Sequence, residues 1–336
     1  MGKTFKAGVA VKSYDRESAY YELCNDDSIA CHIAKLYTGT QGENNIYYHD
    51  SNLTNGAGDN SYRFAGASDQ VNNYVCFGSN VTPCPTDNLY RIIGVFGDRV
   101  KLIKADYATS TLLGKDGDYK ELYSWDASYY KGDLSTSDIG GYMWNYKGLS
   151  DHTGTNIYGS NTWSTSLLNK TNLNTNFITN VGTDWAAKIA ETTWKVGGNT
   201  EANIQSQPAK TAYQNEIVNP VTTNATDNAT TYSAKVGLMY ASDYGFAAAP
   251  SAWTTNLIAY SGEAIKNVNW MYMGLVEWTI SRSADYAYRV FQVHSAGVVT
   301  SSSVNYGWGV RPVFYLSFSV NYVSGSGTAA DPILVN

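Results

Sequence analysis

The chain has 336 residues, of which 43% are hydrophobic and 14% aromatic, a balance that predicts a globular protein with a sizeable core. Its net charge of −6 disfavours nucleic acid and anionic membranes as partners, since both reward basic patches. Only 15% of the residues are charged, against about 25% in an average protein, so Asn, Ser, Thr, Gly and Tyr must supply much of the polar surface. This composition favours a secreted or surface-displayed protein.

The first helix is predicted within residues 17–38, where apolar residues recur at helical spacing. Residues 88–107 predict a β-hairpin, because two β-branched runs flank Gly97 and Asp98, a pair that suits a two-residue type II′ turn. Residues 108–160 predict long loops. Residues 163–181 predict a short amphipathic helix with Ser164 or Thr165 near its N-cap.

Residues 185–198 predict a strand, and residues 235–247 predict a strand followed by a turn or a short helix. Near the C-terminus, EWTI, YRVFQV, GVVTSS and GVRPVFYL predict four short strands of one antiparallel meander, with a turn at HSAG. Short strands, two helices and long polar loops together predict an α+β fold.

The four cysteines favour disulfides, because an even count in a chain of low charge is typical of an oxidising compartment. Two local pairs are predicted, Cys24–Cys31 and Cys76–Cys84. A zinc site is the alternative, but the spacings C-x6-C and C-x7-C do not match the usual C-x2–4-C pattern. The first residues lack the long apolar region of a signal peptide, so we expect an export signal or anchor to have been removed. No stretch approaches the ~20 apolar residues of a membrane span, which predicts no direct membrane insertion.

The motifs of common enzyme classes do not occur in the sequence, so we expect no catalytic residues and no cofactor. G-x-S-x-G, H-E-x-x-H, Walker A and a strand-linked G-x-G-x-x-G are all absent, and the four histidines are dispersed. Residues 55–60 and 114–119 resemble fragments of Ca²⁺ loops, but neither fits the full pattern. Plain Asx-turn chemistry is the favoured interpretation there, with a structural Ca²⁺ as the alternative.

The last third of the chain carries W-T-I-S, then a polar aromatic stretch, then G-x-V and G-V-R-P-V-x-Y-L. This pattern resembles the variable proteins of diversity-generating retroelements, over roughly residues 88–334. In that family, copying with errors at adenines rewrites the end of the gene, and the altered residues form a ligand-binding face. The resemblance implies a C-type-lectin-like domain at 88–336, of the formylglycine-generating-enzyme subtype. It also implies a variable region at about 270–315, preceded by an N-terminal extension at 1–87.

The polar aromatic stretch is rich in Tyr, Ser, Asp and Arg, the residues that antibody paratopes favour. Adenine-directed changes of an Asn codon can produce these residues but not Gln, Trp or Met, so Gln292, Met273 and Trp308 are expected to be scaffold or to come from other codons. Outward-facing strand residues are the alternative interpretation of any single position. The implied ligand-binding residues are Tyr272, Arg282, Ser283, Asp285, Tyr286, Tyr288, Arg289, His294, Ser295, Ser301, Ser303, Asn305, Tyr306 and Trp308.

Other residues of this region are predicted to be structural. Arg311 interrupts an apolar strand, which predicts a partner among buried carboxylates or backbone carbonyls. Phe314 is predicted to be core. The remaining predicted structural residues are Trp270, Trp278, Gly309 and Pro312.

The leading hypothesis is therefore a non-catalytic, ligand-binding protein displayed on a bacterial surface or a phage particle. A protein or other cell-surface ligand is favoured over a free sugar, because no E-P-N motif occurs. A structural or pilus-like surface subunit is the first alternative. A formylglycine-generating-type enzyme is the second, although no cysteine follows Cys84 to supply its reactive thiols.

Overall fold

The computed structural model describes residues 27–115, 130–134, 138–145, 159–220 and 229–336. Its strands form a nine-stranded mixed sheet, a four-stranded sheet and two two-stranded ribbons, with short helices between them. This combination confirms the predicted α+β class. Among the described helices, none is long and apolar enough to cross a membrane.

In the described part of the chain, 3₁₀ helices lie at Glu43–Asn45, Thr86–Asn88, Trp163–Thr165, Pro250–Ala252 and Leu257–Ala259. The α- and π-helices are also short, and two have π geometry. They are α1 Ile29–Ala34, α2 Ser110–Leu113, π1 Leu168–Phe177, α3 Ile178–Asn180, α4 Thr183–Ala187, α5 Ala209–Tyr213, π2 Gln214–Val218, α6 Ala241–Ala247 and α7 Glu263–Lys266. The strands are β1 Ile46–His49, β2 Ser61–Phe64, β3 Tyr74–Cys76, β4 Leu89–Phe96, β5 Arg99–Lys104, β6 Tyr130–Asp133, β7 Gly140–Tyr142, β8 Thr192–Lys195, β9 Gly198–Asn199, β10 Thr231–Ala234, β11 Val236–Gly237, β12 Glu277–Ser283, β13 Arg289–Val293, β14 Val299–Ser303, β15 Val313–Tyr315, β16 Tyr322–Ser324 and β17 Ile333–Val335.

The central sheet has the strand order β11-β15-β5-β4-β3-β17-β16, and β2 joins it through β4 with β1 beside it. The β4–β5 hairpin confirms the turn predicted at residues 97–98: Phe96 pairs with Arg99, and Gly97 has φ 63°. The sheet runs across the predicted division at residue 87 without interruption, since β3 pairs with both β4 and β17.

The smaller sheet, in the order β14-β13-β12-β9, contains the predicted C-terminal meander but only three of its four strands. The fourth, β15, pairs instead with β5 and β11 in the central sheet, so the four-strand prediction was wrong. Val313 and Phe314 point to opposite faces of β15, and both are fully buried. An inner position in the larger sheet, with structure on both faces, buries both side chains.

Two predicted elements have different boundaries in the structure. Within the helix predicted at 163–181, Trp163–Thr165 form a separate 3₁₀ helix and the longer π1 helix begins at Leu168. The hydroxyl of Ser166 accepts a hydrogen bond from the N–H of Asn169 at 3.2 Å. The predicted capping role of Ser164 or Thr165 was therefore wrong. The strand predicted at 185–198 is a helix in its first part, α4, and a strand only at β8. Alanines in α4 favour the helix, while β-branched Thr192 and Thr193 open the strand.

The segment before β4 shares the main hydrophobic core with the rest of the described chain. Ile33 of α1, Phe77 and Phe314 belong to this one core, and the rings of Phe77 and Phe314 lie 4.8 Å apart. The predicted burial of Trp270, Trp278 and Phe314 is confirmed, since each is at most 1% exposed.

The predicted Cys76–Cys84 disulfide is present, with the two Cα atoms 5.9 Å apart. Cys24, the predicted partner of Cys31, lies outside the described residues. Replacing both Cys76 and Cys84 by Ser is expected to lower the free energy of unfolding by about 2–3 kcal/mol, the loop-closure entropy of a short loop. Urea unfolding of the double variant measures the loss. An unchanged urea midpoint would contradict the expectation.

Candidate functional site

A buried ion pair between Glu277 and Arg311 joins the two ends of the polar segment between β12 and β15, and we call this junction the base. Glu277 begins β12, and Arg311 precedes β15. Arg311 donates from Nε and Nη2 to the two carboxylate oxygens of Glu277, each at 2.7 Å, and from Nη2 to the carbonyl oxygen of Met271 at 2.8 Å. The predicted pairing of Arg311 with a buried carboxylate and a backbone carbonyl is confirmed. Burial lowers the pKa of Arg311, but the facing carboxylate outweighs burial and leaves that pKa raised.

Backbone hydrogen bonds reinforce the same base. The N–H of Trp278 donates to the carbonyl oxygen of Gly309 at 3.1 Å, and the N–H of Gly309 donates to that of Val276 at 2.9 Å. A Cβ at Gly309 would lie 2.7 Å from the ring of Tyr107, so only glycine fits without a shift. The indole N–H of Trp278 donates to the carbonyl oxygen of Tyr142 at 2.7 Å. The two ends of the polar segment are therefore held together by the scaffold.

The β13–β14 hairpin divides the predicted ligand-binding residues between its two ends. We call the end at the Arg289–Ser303 pair the open end and the end at residues 294–298 the turn end. A strand of five residues separates the ends by about 13 Å. The chain segments 284–288 and 304–308 meet at the open end, where the N–H of Val304 donates to the carbonyl oxygen of Tyr288 at 3.0 Å.

The open end brings together charged and aromatic side chains around Arg289. Its guanidinium carbon lies 4.4 Å from the ring centre of Tyr286 and 5.8 Å from that of Tyr288, within the range of cation–π attraction. The two tyrosine rings lie 5.8 Å apart. Tyr286 is 41% exposed. This arrangement presents polar aromatic surface to solvent.

Glu201, which no sequence motif marks, joins the open-end residues to the loop after β9. Its Oε1 atom lies 3.4 Å from Nη1 of Arg289 and accepts a hydrogen bond from the hydroxyl of Ser301. Its backbone N–H donates to Oδ2 of Asp285 at 2.6 Å. Sequence analysis missed Glu201 because it lies about a hundred residues before its partners and belongs to no local pattern.

A second missed residue, Asn161, holds the backbone of the open end. This side chain is buried, and its amide nitrogen donates to the carbonyl oxygens of Ser283 at 2.7 Å, Tyr286 at 3.0 Å and Arg289 at 2.8 Å. Its backbone N–H donates to the carbonyl oxygen of Ala287 at 2.6 Å. All four acceptors are main-chain atoms, so these four hydrogen bonds do not depend on which side chains segment 283–289 carries.

The aromatic pair Tyr306 and Trp308 continues the open end towards the base. Their rings stack with centroids 5.4 Å apart, and Tyr306 is 53% exposed. The backbone of Trp308 exchanges hydrogen bonds with that of Tyr142, and its ring lies 6.3 Å from Trp278. Trp308 therefore connects the exposed aromatic surface to the scaffold. The open-end surface comprises Asp285, Tyr286, Tyr288, Arg289, Ser301, Ser303, Asn305, Tyr306 and Trp308.

The remaining predicted residues do not lie on the open-end surface. The hydroxyl of Tyr272 donates to the carbonyl oxygen of Ser295 at 2.6 Å, and exposed His294 begins the turn end. Arg282 and Ser283 are 3% and 2% exposed, because β12 is buried along its whole length. These two residues lie beneath the surface rather than on it.

Metal-binding chemistry has no counterpart in the described part of the chain. Within residues 27–115, 130–134, 138–145, 159–220 and 229–336, no group of three or more His, Cys, Asp or Glu side chains is arranged to hold a metal ion. Asp59, in the Ca²⁺-loop-like segment 55–60, instead pairs with Arg63 at 2.6 Å. Residues 116–119 of the second such segment lie outside the described ranges.

A groove of about 670 Å³ lies elsewhere, against β16 and β17. Trp185, Lys188 and Val323 contribute to its lining, and none of the predicted ligand-binding residues does. Comparisons of the chain with models of known families, with curated proteins and with solved structures found no match.

Proposed function

We propose that this chain is a ligand-binding protein of the bacterial or phage surface, built on a C-type-lectin-like domain. Its open-end surface binds a protein or cell-surface ligand and performs no catalysis. Tyr and Arg are enriched in the hot spots of protein interfaces, and at the open end exposed Tyr286 contacts partly exposed Arg289. The resemblance to variable proteins of diversity-generating retroelements supports the further proposal that these residues are diversified.

The observation that carries the proposal is the way in which the open end is held. Asn161 binds four main-chain groups of segment 283–289, and the β13–β14 ladder also binds main chain. Side chains on such a support can change without loss of the contacts that fix the backbone. A surface for changing ligands needs this separation of backbone support from side-chain identity.

Sequencing this gene and its neighbouring DNA in several isolates tests the diversification. We expect substitutions to cluster within residues 285–306, with Glu277, Trp278 and Arg311 unchanged. An imperfect repeat of the variable segment is expected nearby. Substitutions spread evenly along residues 1–336, without such a repeat, would overturn this part of the proposal.

Binding is tested with random peptides displayed on phage and selected against the immobilised full-length protein. We expect Tyr286→Ala and Arg289→Ala each to weaken a selected peptide's affinity about tenfold or more, because each removes a large side chain of the open-end surface. Phe318→Ala is the matched control, since Phe318 is 65% exposed but belongs to another surface. Selected peptides that bind both open-end variants as tightly as the wild type would contradict the proposal.

A structural surface subunit is a second candidate, favoured by an edge of the central sheet that is only partly covered. β16 ends the sheet order, the N–H of Tyr322 at its start donates to the carbonyl oxygen of Asp27 at 2.9 Å, and Val323 is 53% exposed. Such an edge can pair with the edge of a second copy of the chain. Light scattering distinguishes this candidate: self-assembly predicts a molar mass that rises with concentration and falls in Val323→Lys. A monomer at every concentration rejects it.

A further inference from the structure

A cluster of buried ionisable side chains joins the central sheet to α6 and is not used by the proposed binding surface. Lys101 of β5 and Asp243 of α6 are 1% and 3% exposed, and Nζ of Lys101 lies 2.5 Å from Oδ2 of Asp243. A cavity of about 70 Å³ adjoins the pair, with Arg63 and Tyr315 also in its lining. The two reactive groups are thus in contact and withdrawn from bulk water.

Aromatic rings surround the amine. The ring centres of Phe96, Trp194, Tyr240 and Tyr315 lie between 4.6 and 5.9 Å from Nζ of Lys101. Burial lowers the pKa of Lys101, although the Asp243 carboxylate opposes that effect. A low-dielectric environment of this kind disfavours separated charges, which lowers the cost of proton transfer within the pair.

The guanidinium of Arg63 suits the chemistry of amide formation. Its Nη1 faces Oδ1 of Asp243 at 3.5 Å, where it can stabilise negative charge on that oxygen.

We propose that Lys101 and Asp243 form an autocatalytic isopeptide bond. One proton passes from the Lys101 ammonium to the Asp243 carboxylate, and the amine lone pair then adds to Cγ and forms the C–N bond. The nitrogen loses one proton, the C–Oδ2 bond breaks, and the hydroxyl leaves with that proton as one water molecule. Oδ1 remains as the amide oxygen facing Arg63, and no oxidant or reductant is consumed.

The bond would link residues 142 positions apart, and so would tie β5 to α6. A cross-link of this length restricts the unfolded chain strongly, as a long-loop disulfide does. It would also resist reduction, an advantage for a protein exposed at a surface. The proposal is independent of the binding function, because it rests on other residues and is read out by mass alone.

Intact-mass spectrometry of the full-length protein tests the bond. After allowance for the disulfides, we expect a mass lower than the sequence mass by one water molecule. Proteolysis is expected to release one branched peptide that contains both Lys101 and Asp243. A full sequence mass, together with cleavage after an unmodified Lys101, would overturn the proposal.

Matched variants locate the bond. Lys101→Arg and Asp243→Ala are each expected to abolish the loss of water. Lys104→Arg is the control and should keep it, because Lys104 is equally buried on β5 but donates to the backbone oxygen of Asp87 at 3.1 Å. If Lys101→Arg or Asp243→Ala does not fold, the wild-type mass and branched peptide still decide the question.

Discussion

Glu277→Gln is expected to lower the free energy of unfolding by about 3–5 kcal/mol, the largest effect of any single polar substitution that we predict. Both side chains of the Glu277–Arg311 pair are 1% exposed, so the variant leaves a buried guanidinium without its counter-charge. The remaining hydrogen bond to the carbonyl oxygen of Met271 does not neutralise that charge. Urea unfolding followed by the fluorescence of buried Trp270 and Trp278 measures the loss.

A double variant separates the charge effect from the shape of the site. Glu277→Leu combined with Arg311→Met removes both charges and replaces them with apolar groups of similar length. Such replacements of whole buried pairs are often neutral or stabilising, so we expect the double variant to recover most of the lost stability. If the double variant is as unstable as Glu277→Gln, the ion pair itself stabilises the fold, and the loss in Glu277→Gln does not come from leaving Arg311 unpaired.

The base of the polar segment was predictable from sequence only in part. Arg311 in an apolar strand required a buried partner, and Glu277 in EWTI is that partner. The sequence did not single out Glu277, because a lone carboxylate in a strand can also face solvent. Local sequence also could not predict which sheet β15 joins. Its short apolar run is compatible with either sheet, and its pairing with β5 depends on the segments that cover both of its faces.

Local sequence pattern predicted only part of the candidate site. The polar aromatic composition marked Tyr286 and Tyr306, which are exposed, and Arg289, which is partly exposed, because composition reflects exposure. It also included Arg282 and Ser283, which β12 buries. The alternation of buried and exposed residues along a strand is lost where both of its faces are covered, so burial there depends on distant segments. Asn161, which binds the backbone of the open end, and Glu201, which binds its side chains, come from such segments.

Glu216 is expected to make the folded protein less stable as pH rises through neutrality. Burial raises its pKa to about 7 from an ordinary 4.5, so the folded state keeps a proton that the unfolded chain has released. The resulting stability is fully present below pH 4.5 and is lost as pH rises through about 7. The loss amounts to roughly 3 kcal/mol.

Glu216→Gln tests this expectation because it removes the titration and keeps the contacts. The amide oxygen can accept the N–H of Ser242, and the amide nitrogen can donate to the hydroxyl of Ser281, in place of the present bonds at 2.8 and 2.6 Å. The free energy of unfolding of both proteins is measured in urea at pH values from 4 to 9. The difference between variant and wild type should grow in favour of the variant by roughly 3 kcal/mol from low to high pH.

The difference between the two pH profiles isolates Glu216 from the other buried titratable groups. Burial lowers the pKa of His49, so its contribution to stability is present above pH 6.5 and fades below that value, opposite in sign to that of Glu216. His49 is present in both proteins and cancels in the difference. A Lys101–Asp243 cross-link would add the same stability at every pH and would leave the slope unchanged. Parallel wild-type and Glu216→Gln profiles would therefore show that Glu216 is ionised in the folded protein.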